Sequence, residues 1–509
     1  VGVGAVVLSL SRRFQLLRAG RQENRFDRLG DRFKHMLIYA FGQKKMFDDP
    51  VAGFYHLLIF YGFLVVSLRT VTMVLEGLFA GWELPLLHSP IGHAYLFSKD
   101  IFELLVLVGL VVAVWRRGIQ RKDRVIQSWG AWLVIGMIAI LMVTDLVSEG
   151  ARIAAGDLEG SFLPISSMAA SALAGIDIAN LQSTYTLNWW IHLGTLFLFA
   201  NELPYSKHFH VYTSVFNSFF ANLDAPGKLP SMDLEEIDEN TTFGISNVTD
   251  FTWKQMLDMY TCTECGRCRE YCPTTLTHKP LQPVLFLKSV RDQLYSEQSA
   301  ILGSPGEGGN QSENELVPAV VDPEVIWACT TCRWCERACP LDISYVDKLV
   351  EMRRNLVLEK AEFPEEAQPA FRGYEVNGNP WQLPAEERGN WASDLDVPLA
   401  SEAGGDFEYL FFVGSPGSYD DHGKKVSRAL VKILKAAGIK IAILGPEELS
   451  TGDAPRRLGN EYLFQMLAQQ NIETMNGYGV KKIVTNCPHA HNTLAHEYPE
   501  FGGDYEVVH

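Results

Sequence analysis

Cysteine is scarce in this sequence, with nine in 509 residues. Eight of the nine fall in two short segments with C-x-x-C spacing. This clustering does not favour a disulfide framework and is typical of metal sites in a reducing compartment. We therefore expect the part of the chain that carries the cysteines to lie in the cytoplasm.

Charged residues are missing from two long runs in the first half. Val51–Leu68 has none in eighteen residues and Val125–Thr144 has none in twenty, which is enough to cross a membrane. Shorter uncharged cores occupy Leu104–Trp115 and Leu187–Ala200, and the opening run VGVGAVVLSLS is typical of the end of another span. The sequence therefore predicts five membrane spans, in a chain that we expect to continue beyond both of its ends.

Basic residues in the first part concentrate in two segments. Arg12–Lys45 contains ten and Arg116–Arg124 contains five, whereas the segments predicted on the opposite side contain only Lys99 and Arg152. The positive-inside rule places the basic segments in the cytoplasm, together with everything after about Tyr212.

Acidic residues dominate the rest of the chain. The net charge is −16 overall, but residues 1–220 carry 19 Lys and Arg against 16 Asp and Glu, and the remainder carries 25 against 44. This acidity argues against nucleic acid as a partner.

Two motifs account for the eight clustered cysteines. TCTECGRCREYCP at Thr261–Pro273 and CTTCRWCERACP at Cys329–Pro340 both follow C-x2-C-x2-C-x3-C-P. In this pattern three thiolates hold one 4Fe–4S cluster and the fourth reaches the cluster of the other motif. The predicted sets are Cys262, Cys265, Cys268 and Cys339, and Cys329, Cys332, Cys335 and Cys272. Two zinc sites are the less favoured alternative, because such sites more often pair two C-x-x-C units across a gap.

Histidines in the predicted spans are candidate haem ligands. His56 in the second span and His210 just beyond the fifth lie at similar predicted depth, near the cytoplasmic side, which suits the axial ligands of one haem b. His192 precedes His210 by eighteen residues, which is five turns of a continuous helix and nearly the same face. We interpret His208 and His35 as surface residues.

A second haem at His192 needs a partner at outer depth. No histidine lies near Val66 in the second span, so His88 or His93 in the predicted outer loop are the candidates. An interhelical hydrogen bond is the alternative role for His192.

Three charged residues near the predicted outer side each have two alternative roles. Arg69 either pairs with a haem propionate or extends towards the membrane surface. Asp100 and Glu103 are predicted at the start of the third span, where they either relay protons for a quinone or cap the helix.

The pattern changes after the spans. Residues 216–250 are predicted as a linker, and residues 251–400 as a mostly helical domain around the cysteines, with GSPGEGGNQSENE as a flexible loop. From about residue 406, the strand-like FEYLFFVG, IKIAILG, VKKIVTNC and YEVVH alternate with helical segments. Residues 401–509 are therefore predicted to be an α/β domain with a parallel sheet.

Each part resembles a known family. Residues 1–215, with His56, His192 and His210, resemble the cytochrome b gamma subunit of respiratory nitrate reductase. The cysteine motifs at 262–340 resemble the helical ferredoxin module of heterodisulfide reductases. From 406 the chain is similar to the cysteine-rich repeat of the heterodisulfide reductase catalytic subunit.

The resemblance of this last part implies cysteines that the chain does not have. Ser415, Ser450, Thr451 and Ala490 stand in the cysteine places, and Cys487 alone remains. Serine and alanine cannot replace soft thiolates, so we expect no cluster in this repeat. A second repeat normally follows, and lies past His509 if the chain has one.

The order of the three parts resembles the membrane-bound reductases proposed as electron-transfer flavoprotein:menaquinone oxidoreductases. The resemblance implies an enzyme of the bacterial cytoplasmic membrane, in contact with lipid, that holds two 4Fe–4S clusters and haem b, with a second haem possible. Its expected donor is reduced electron-transfer flavoprotein or another cytoplasmic redox protein, and its expected acceptor is menaquinone. Two alternatives are a thiol/disulfide–quinone oxidoreductase of the heterodisulfide reductase or sulfite-reduction-associated type, and an electron-relay subunit that assembles with other subunits of a respiratory complex.

Overall fold

The computed structural model describes residues 2–79, 82, 84–234, 242–303 and 314–509. They form a helical bundle, a helical module that carries both cysteine motifs, and an α/β domain. Most of the loop predicted between the motifs, residues 304–313, lies outside the described residues, as do residues 235–241 of the predicted linker.

Eight helices build the bundle. They are α1 Gly2–Ala19, α2 Leu29–Met36, α3 Pro50–Leu78, α4 Pro90–Trp115, α5 Trp129–Ala155, α6 Pro164–Ala172, α7 Ile178–Glu202 and α8 His210–Phe219. Among the described residues, α3 and α5 are long and apolar enough to cross a membrane. Helices also occupy the other three predicted spans, as α1, α4 and α7, but they do not meet the same criterion. The five-span bundle and its orientation therefore stay predictions.

Helix α4 begins earlier than the sequence predicts. It starts at Pro90 after the N-cap Ser89, so Lys99, Asp100 and Glu103 lie well inside the helix and are fully buried. The prediction that these acids open the span, with Lys99 in a loop, is wrong. The charges interrupt the apolar run, but Lys99 pairs with Asp145 and Glu149 of α5, and hydropathy cannot reveal such partners.

The helix that carries His192 does not continue to His210. Helix α7 ends at Glu202, Pro204 follows in a 3₁₀ turn, and α8 begins at His210. Proline has no N–H to donate to the preceding turn and interrupts the helix. The assumption of five continuous turns between the two histidines is therefore wrong.

Nine short helices build the cysteine module. They are α9 Trp253–Thr261, α10 Arg267–Glu270, α11 Pro273–Leu276, α12 Pro283–Ser296, α13 Gln298–Ile301, α14 Pro323–Trp327, α15 Trp334–Ala338, α16 Val346–Arg354 and α17 Ala367–Asn377. Met256, Leu287 and Leu349 contribute to its buried core, and Leu16 of α1 packs into the same core. The module is therefore seated directly on the bundle.

The last domain has a four-stranded parallel sheet, as the sequence predicts. Its strands are β1 Tyr409–Phe411, β2 Ile441–Ala442, β3 Lys482–Val484 and β4 Glu506–Val508, in the order β2-β1-β3-β4. Its helices are α18 Ala400–Ala403, α19 Gly414–Tyr419, α20 Asp421–Ala436, α21 Asp453–Arg457, α22 Glu461–Gly477 and α23 Pro488–Asn492. Phe464 of α22 and Val431 of α20 are buried in two separate apolar clusters, and the sheet contributes residues to both.

A buried ion-pair network joins the cysteine module to the α/β domain. Arg354 of α16 contacts Glu351 at 2.5 Å and Glu461 of α22 at 2.7 Å. Arg456 contacts Glu461 at 3.2 Å and Glu497 at 2.9 Å. All five side chains are buried, so each charge depends on its partners for the solvation it has lost.

We expect Arg354→Met to destabilise the junction between these domains. Removing the guanidinium leaves Glu461 with one cationic partner in a buried site, and breaking such a pair typically costs about 3–5 kcal/mol. Urea unfolding of the detergent-solubilised chain, followed by protease susceptibility of the α/β domain, measures the loss. Arg428→Ala is the control, because Arg428 pairs with the exposed Asp394 and solvent screens such a pair. Equal effects of the two substitutions would contradict the prediction.

Candidate metal centres

The first cysteine cavity lies between the first motif and the end of the second. Cys262, Cys265, Cys268 and Cys339 all line it. The chain curls around the cavity because the backbone is left-handed at two positions of the motif, Glu264 with φ 56° and Gly266 with φ 71°.

The second cavity repeats this geometry with the motifs exchanged. Its cysteines are Cys272, Cys329, Cys332 and Cys335. The matching positions, Thr331 and Arg333, are again left-handed, with φ 54° and 59°. Gly266 of the first motif and Arg333 of the second occupy the same position. The first motif needs glycine there, because a Cβ at Gly266 would lie 1.8 Å from the Arg124 carbonyl of the bundle.

The structure therefore brings together the two sets predicted from the spacing. Each cavity receives three cysteines from one motif and the fourth from the other, which fits a 4Fe–4S cubane in each. Burial raises the pKa of Cys262 to about 11 and also raises the pKa of Cys339. The thiols are therefore neutral at pH 7 unless a metal supplies the positive charge that stabilises thiolates.

Polar groups reach the sulfurs of both cavities. The Thr274 hydroxyl lies 2.9 Å from Cys272 Sγ, and the Thr331 N–H donates to Cys329 Sγ at 3.4 Å. Tyr345 is buried, lines both cavities, and has its hydroxyl within hydrogen-bonding reach of Cys268. Such donors stabilise negative charge on the sulfurs and favour the reduced state of a cluster.

The first cavity faces the bundle. Arg267 donates to the carbonyls of Lys45 at 2.7 Å and Met46 at 2.9 Å, in the turn that leads into α3. Asp342, three residues after Cys339, pairs with Lys45 at 2.7 Å and with His35 at 3.0 Å. Although burial opposes it, these contacts lower the pKa of Asp342. His35, interpreted from the sequence as a surface residue, is therefore a docking residue.

The second cavity faces outward. Cys332 is exposed, in contrast to the three buried cysteines of the first cavity. Beside it, Tyr271 is 60 % exposed and packs edge-on against Trp334 at 5.1 Å between ring centroids. The second cavity is therefore the one that a soluble partner can approach.

His56 and His210 lie near each other at the end of the bundle that adjoins the cysteine module. They belong to α3 and α8, within electrostatic range of each other, and His56 Nδ1 is buried with no hydrogen-bond partner among the described residues. Burial lowers the pKa of His210 to about 4, so its ring is neutral, as a metal ligand must be. Two nearby histidines, one with a free ring nitrogen and one with a neutral ring, have the chemistry that axial haem ligands need.

The other histidines have different surroundings. His192 is buried, and its Nδ1 lies 3.1 Å from the Thr144 hydroxyl of α5. His93 stacks on Phe162 with 4.0 Å between ring centroids. The described contacts of His192 and His93 do not bring these two rings together, and Arg69 lies among carboxylates of the bundle.

Two members of that carboxylate group were not predicted from the sequence. Asp145 and Glu149 of α5 contact Arg69 at 3.5 and 3.9 Å, and both contact Lys99 of α4. The available signal was two acids one turn apart at the end of an apolar run. That pattern is typical of the end of a span, and the cationic partners lie far away in the chain.

The α/β domain does not fit an iron–sulfur cluster. Ser415, Thr451 and Cys487 follow β1, β2 and β3, at the same edge of the sheet, and Ala490 lies one turn beyond Cys487. Cys487 is the one thiol available there, because the other eight cysteines line the two cavities. A single thiolate cannot hold a cluster that needs several.

Comparison with known proteins finds one family match in the cysteine module and another in the α/β domain. Residues 258–343 match the 4Fe-4S dicluster domain family, and residues 409–495 match the cysteine-rich domain family. A probable iron-sulfur-binding oxidoreductase, FadF, from Bacillus subtilis is 36 % identical over 98 % of this chain and 75 % of its own length. The EtfAB:quinone oxidoreductase of Syntrophomonas wolfei is 35 % identical over 96 % of this chain and 72 % of its own.

The chain belongs to this family of iron–sulfur oxidoreductases. A probable membrane-anchored ferredoxin from Chromohalobacter salexigens is 36 % identical over 55 % of the chain and 44 % of its own length. One subunit of the dihydromethanophenazine:CoB–CoM heterodisulfide reductase of Methanosarcina mazei is 26 % identical over 51 % of the chain and 63 % of its own length. No solved structure matches the oxidoreductase.

The crossed cysteine pairing makes a sharp prediction. We expect Cys272→Ala to remove the same cluster as Cys329→Ala, although Cys272 belongs to the other motif, and Cys339→Ala to remove the same cluster as Cys262→Ala. Low-temperature EPR spectra and iron content of the full chain distinguish the two clusters. Cys487→Ala is the control and should leave both signals unchanged. Pairing of Cys272 with its own motif would overturn the assignment.

Proposed function

We propose that the oxidoreductase carries electrons from a soluble donor through the second cluster, the first cluster and a haem b to menaquinone. The spatial order of the sites carries the proposal. The exposed Cys332 marks the entry, Tyr345 lies between the two cavities, and Arg267 joins the first cavity to the turn before His56. Each site adjoins the next, as electron transfer requires.

The residues of the chain provide ligation and spacing in this scheme. The eight cysteines would hold two 4Fe–4S clusters, and His56 and His210 would hold haem b. These groups supply one-electron redox chemistry when bound. The protein sets their distances, their hydrogen bonds and their exclusion from water.

The donor and the acceptor are inferred from the family. The name of the Syntrophomonas relative, EtfAB:quinone oxidoreductase, supports reduced electron-transfer flavoprotein as donor and a quinone as acceptor. The reaction is balanced by a two-electron flavin oxidation and a two-electron, two-proton quinone reduction. We place the bundle in the bacterial cytoplasmic membrane as five spans, with the cysteine module on the cytoplasmic side.

The thiol/disulfide alternative has less support. It draws on the likeness to the heterodisulfide reductase subunit, but the α/β domain of this chain has one thiol at the place where that chemistry needs several. The electron-relay alternative shares the proposed route and differs only in needing further subunits to reduce quinone.

We expect His56→Ala or His210→Ala to abolish the haem spectrum while both cluster EPR signals remain. Each change removes one axial ligand and leaves the cysteine cavities intact. His208→Ala is the matched control, since His208 lies 6.2 Å from His210 between ring centroids yet is not assigned as a ligand. Optical spectra of the dithionite-reduced full chain give the result. A haem that survives either of the first two changes would refute the ligand pair.

The entry point is tested by changing the surface beside the second cavity. We expect Tyr271→Glu to slow cluster reduction by electron-transfer flavoprotein about tenfold, equivalent to about 1.4 kcal/mol of lost docking free energy, because it places a charge on an apolar contact surface. Tyr462→Glu, on an equally exposed site of α22, is the control. Stopped-flow reduction of the full chain measures the rate. A flavoprotein that reduces neither variant nor the wild type would exclude it as donor.

A further inference from the structure

A group of buried charges lies inside the bundle and is not used by the proposed electron route. Lys99 of α4 is at its centre and is fully buried. Its ammonium contacts Glu149 at 2.6 Å, Asp145 at 2.8 Å and Glu103 at 3.0 Å. Arg69 of α3 adds a second cation, and its Nη2 has no hydrogen-bond partner among the residues that the structure describes.

The carboxyls of this group outnumber its cations. Four buried carboxyls, those of Asp100, Glu103, Asp145 and Glu149, face two cations. The charged and polar groups packed around these carboxyls come from five helices. They are Arg69 and Glu76 from α3, Tyr95, Lys99 and Asp100 from α4, Glu149 from α5, Ser166 from α6 and His192 from α7. A surplus of two buried negative charges is costly, and each bound proton lowers it by one.

Two of the four carboxyls are well solvated by the protein. Asp100 accepts from the backbone N–H of Ile165 at 2.6 Å, from that of Ser166 at 3.0 Å, and from the Ser166 hydroxyl at 2.6 Å. Glu149 accepts from the Lys99 ammonium at 2.6 Å, and it lies 3.0 Å from the Ser166 hydroxyl, whose one proton points to the nearer Asp100. These donors stabilise a negative charge on both side chains.

The other two carboxyls lack this support. No oxygen of Glu103 or Asp145 accepts a well-directed hydrogen bond within the described residues, and both side chains are fully buried. The two carboxyls lie within hydrogen-bonding reach of each other. A proton between them would supply the missing donor and halve the surplus of two negative charges.

We propose that Glu103 and Asp145 share one bound proton, in a buried site that takes the place of a second haem. Lys99 and Arg69 hold the site together electrostatically. A proton stored here is available to a reduction that consumes protons inside the bundle, and this consequence rests on the proposed quinone reduction.

A metal ion is a less suitable occupant. Asp100, Glu103 and Glu149 offer carboxylate oxygens close enough to hold one. The Lys99 ammonium, however, already contacts Glu103 and Glu149 and supplies the positive charge that a cation would bring. A divalent ion at this position would be repelled by the ammonium.

A second haem does not fit at this depth. His192 is directed at Thr144, next to Asp145, and the side chain of α3 that reaches Asp145 is Arg69. His93 precedes Glu103 by ten residues of α4, about 15 Å along the helix axis, which is too far for a ligand of the same haem. The place opposite His192 is filled by the charged group.

The test uses the full chain in lipid nanodiscs. We expect infrared spectra to show a carboxylic acid band that shifts on deuterium exchange and on labelling with carboxyl-13C aspartate and glutamate. Glu103→Gln or Asp145→Asn should remove this band, and Glu76→Gln, the control on the partly exposed partner of Arg69, should leave it. Labelling needs no substitution, so the test holds even if a variant fails to fold. A wild type without the band, or a band that survives both substitutions, overturns the proton site.

Haem content tests whether the charged site takes the place of a second haem. We expect one haem for every eight cluster irons, and unchanged haem content in His192→Ala. Two haems for eight irons, or haem loss in His192→Ala, would show that a second haem is present and overturn this claim.

Kinetics separate this inference from the proposed function. Glu103→Gln should slow haem oxidation by a menaquinone analogue, while reduction of the haem through the clusters keeps the wild-type rate. A wild type whose haem is not reduced through the clusters refutes the proposed electron route, whereas the infrared band tests the proton site independently. An unchanged rate of haem oxidation by the quinone in Glu103→Gln would show that the proton site does not serve quinone reduction.

Discussion

The exchange of the fourth cysteine between the two motifs is the constraint on which the cysteine module depends. Cys272 completes the cavity of the second motif and Cys339 that of the first. Because each cavity needs both motifs, neither site can form until the chain between them has folded back. The exchange also keeps the cavities adjacent, with Tyr345 contributing to the walls of both.

Buried charge joins this module to its neighbours on both sides. Asp342 holds His35 and Lys45 of the bundle, while Arg354 holds Glu461 of the α/β domain. Ion pairs of this kind stabilise less than an apolar interface of equal area, but they penalise any arrangement that leaves one charge unpaired. A fixed arrangement is what electron transfer between sites needs, since it depends on constant distances.

The two ends of the bundle have different chemistry. At the end beside the first cavity, His56 and His210 interact electrostatically, and we propose them as haem ligands. At the opposite end, Lys99 and Arg69 lie near His192 among four carboxyls. A haem would have to displace these paired charges into an apolar environment, which the desolvation cost opposes. The resemblance to a cytochrome b family leaves room for a second haem near His192. We expect none there, because the side chains around His192 are charged.

The sequence by itself determined the features that depend on local spacing. The two cysteine sets follow from C-x2-C-x2-C-x3-C-P, because three ligands within seven residues can wrap one cubane and the fourth cannot. The parallel sheet follows from the alternation of strand and helix patterns after residue 406.

Only the tertiary structure decided what depends on distant partners. The break between His192 and His210 is not of this kind, because Pro204 is a local signal in the sequence itself. Lys99 and Glu103, in contrast, resemble a helix end until Asp145 and Glu149 are placed beside them. Pairing of charges some fifty residues apart leaves no periodic trace in the chain, and that is why the charged site was hidden from the sequence.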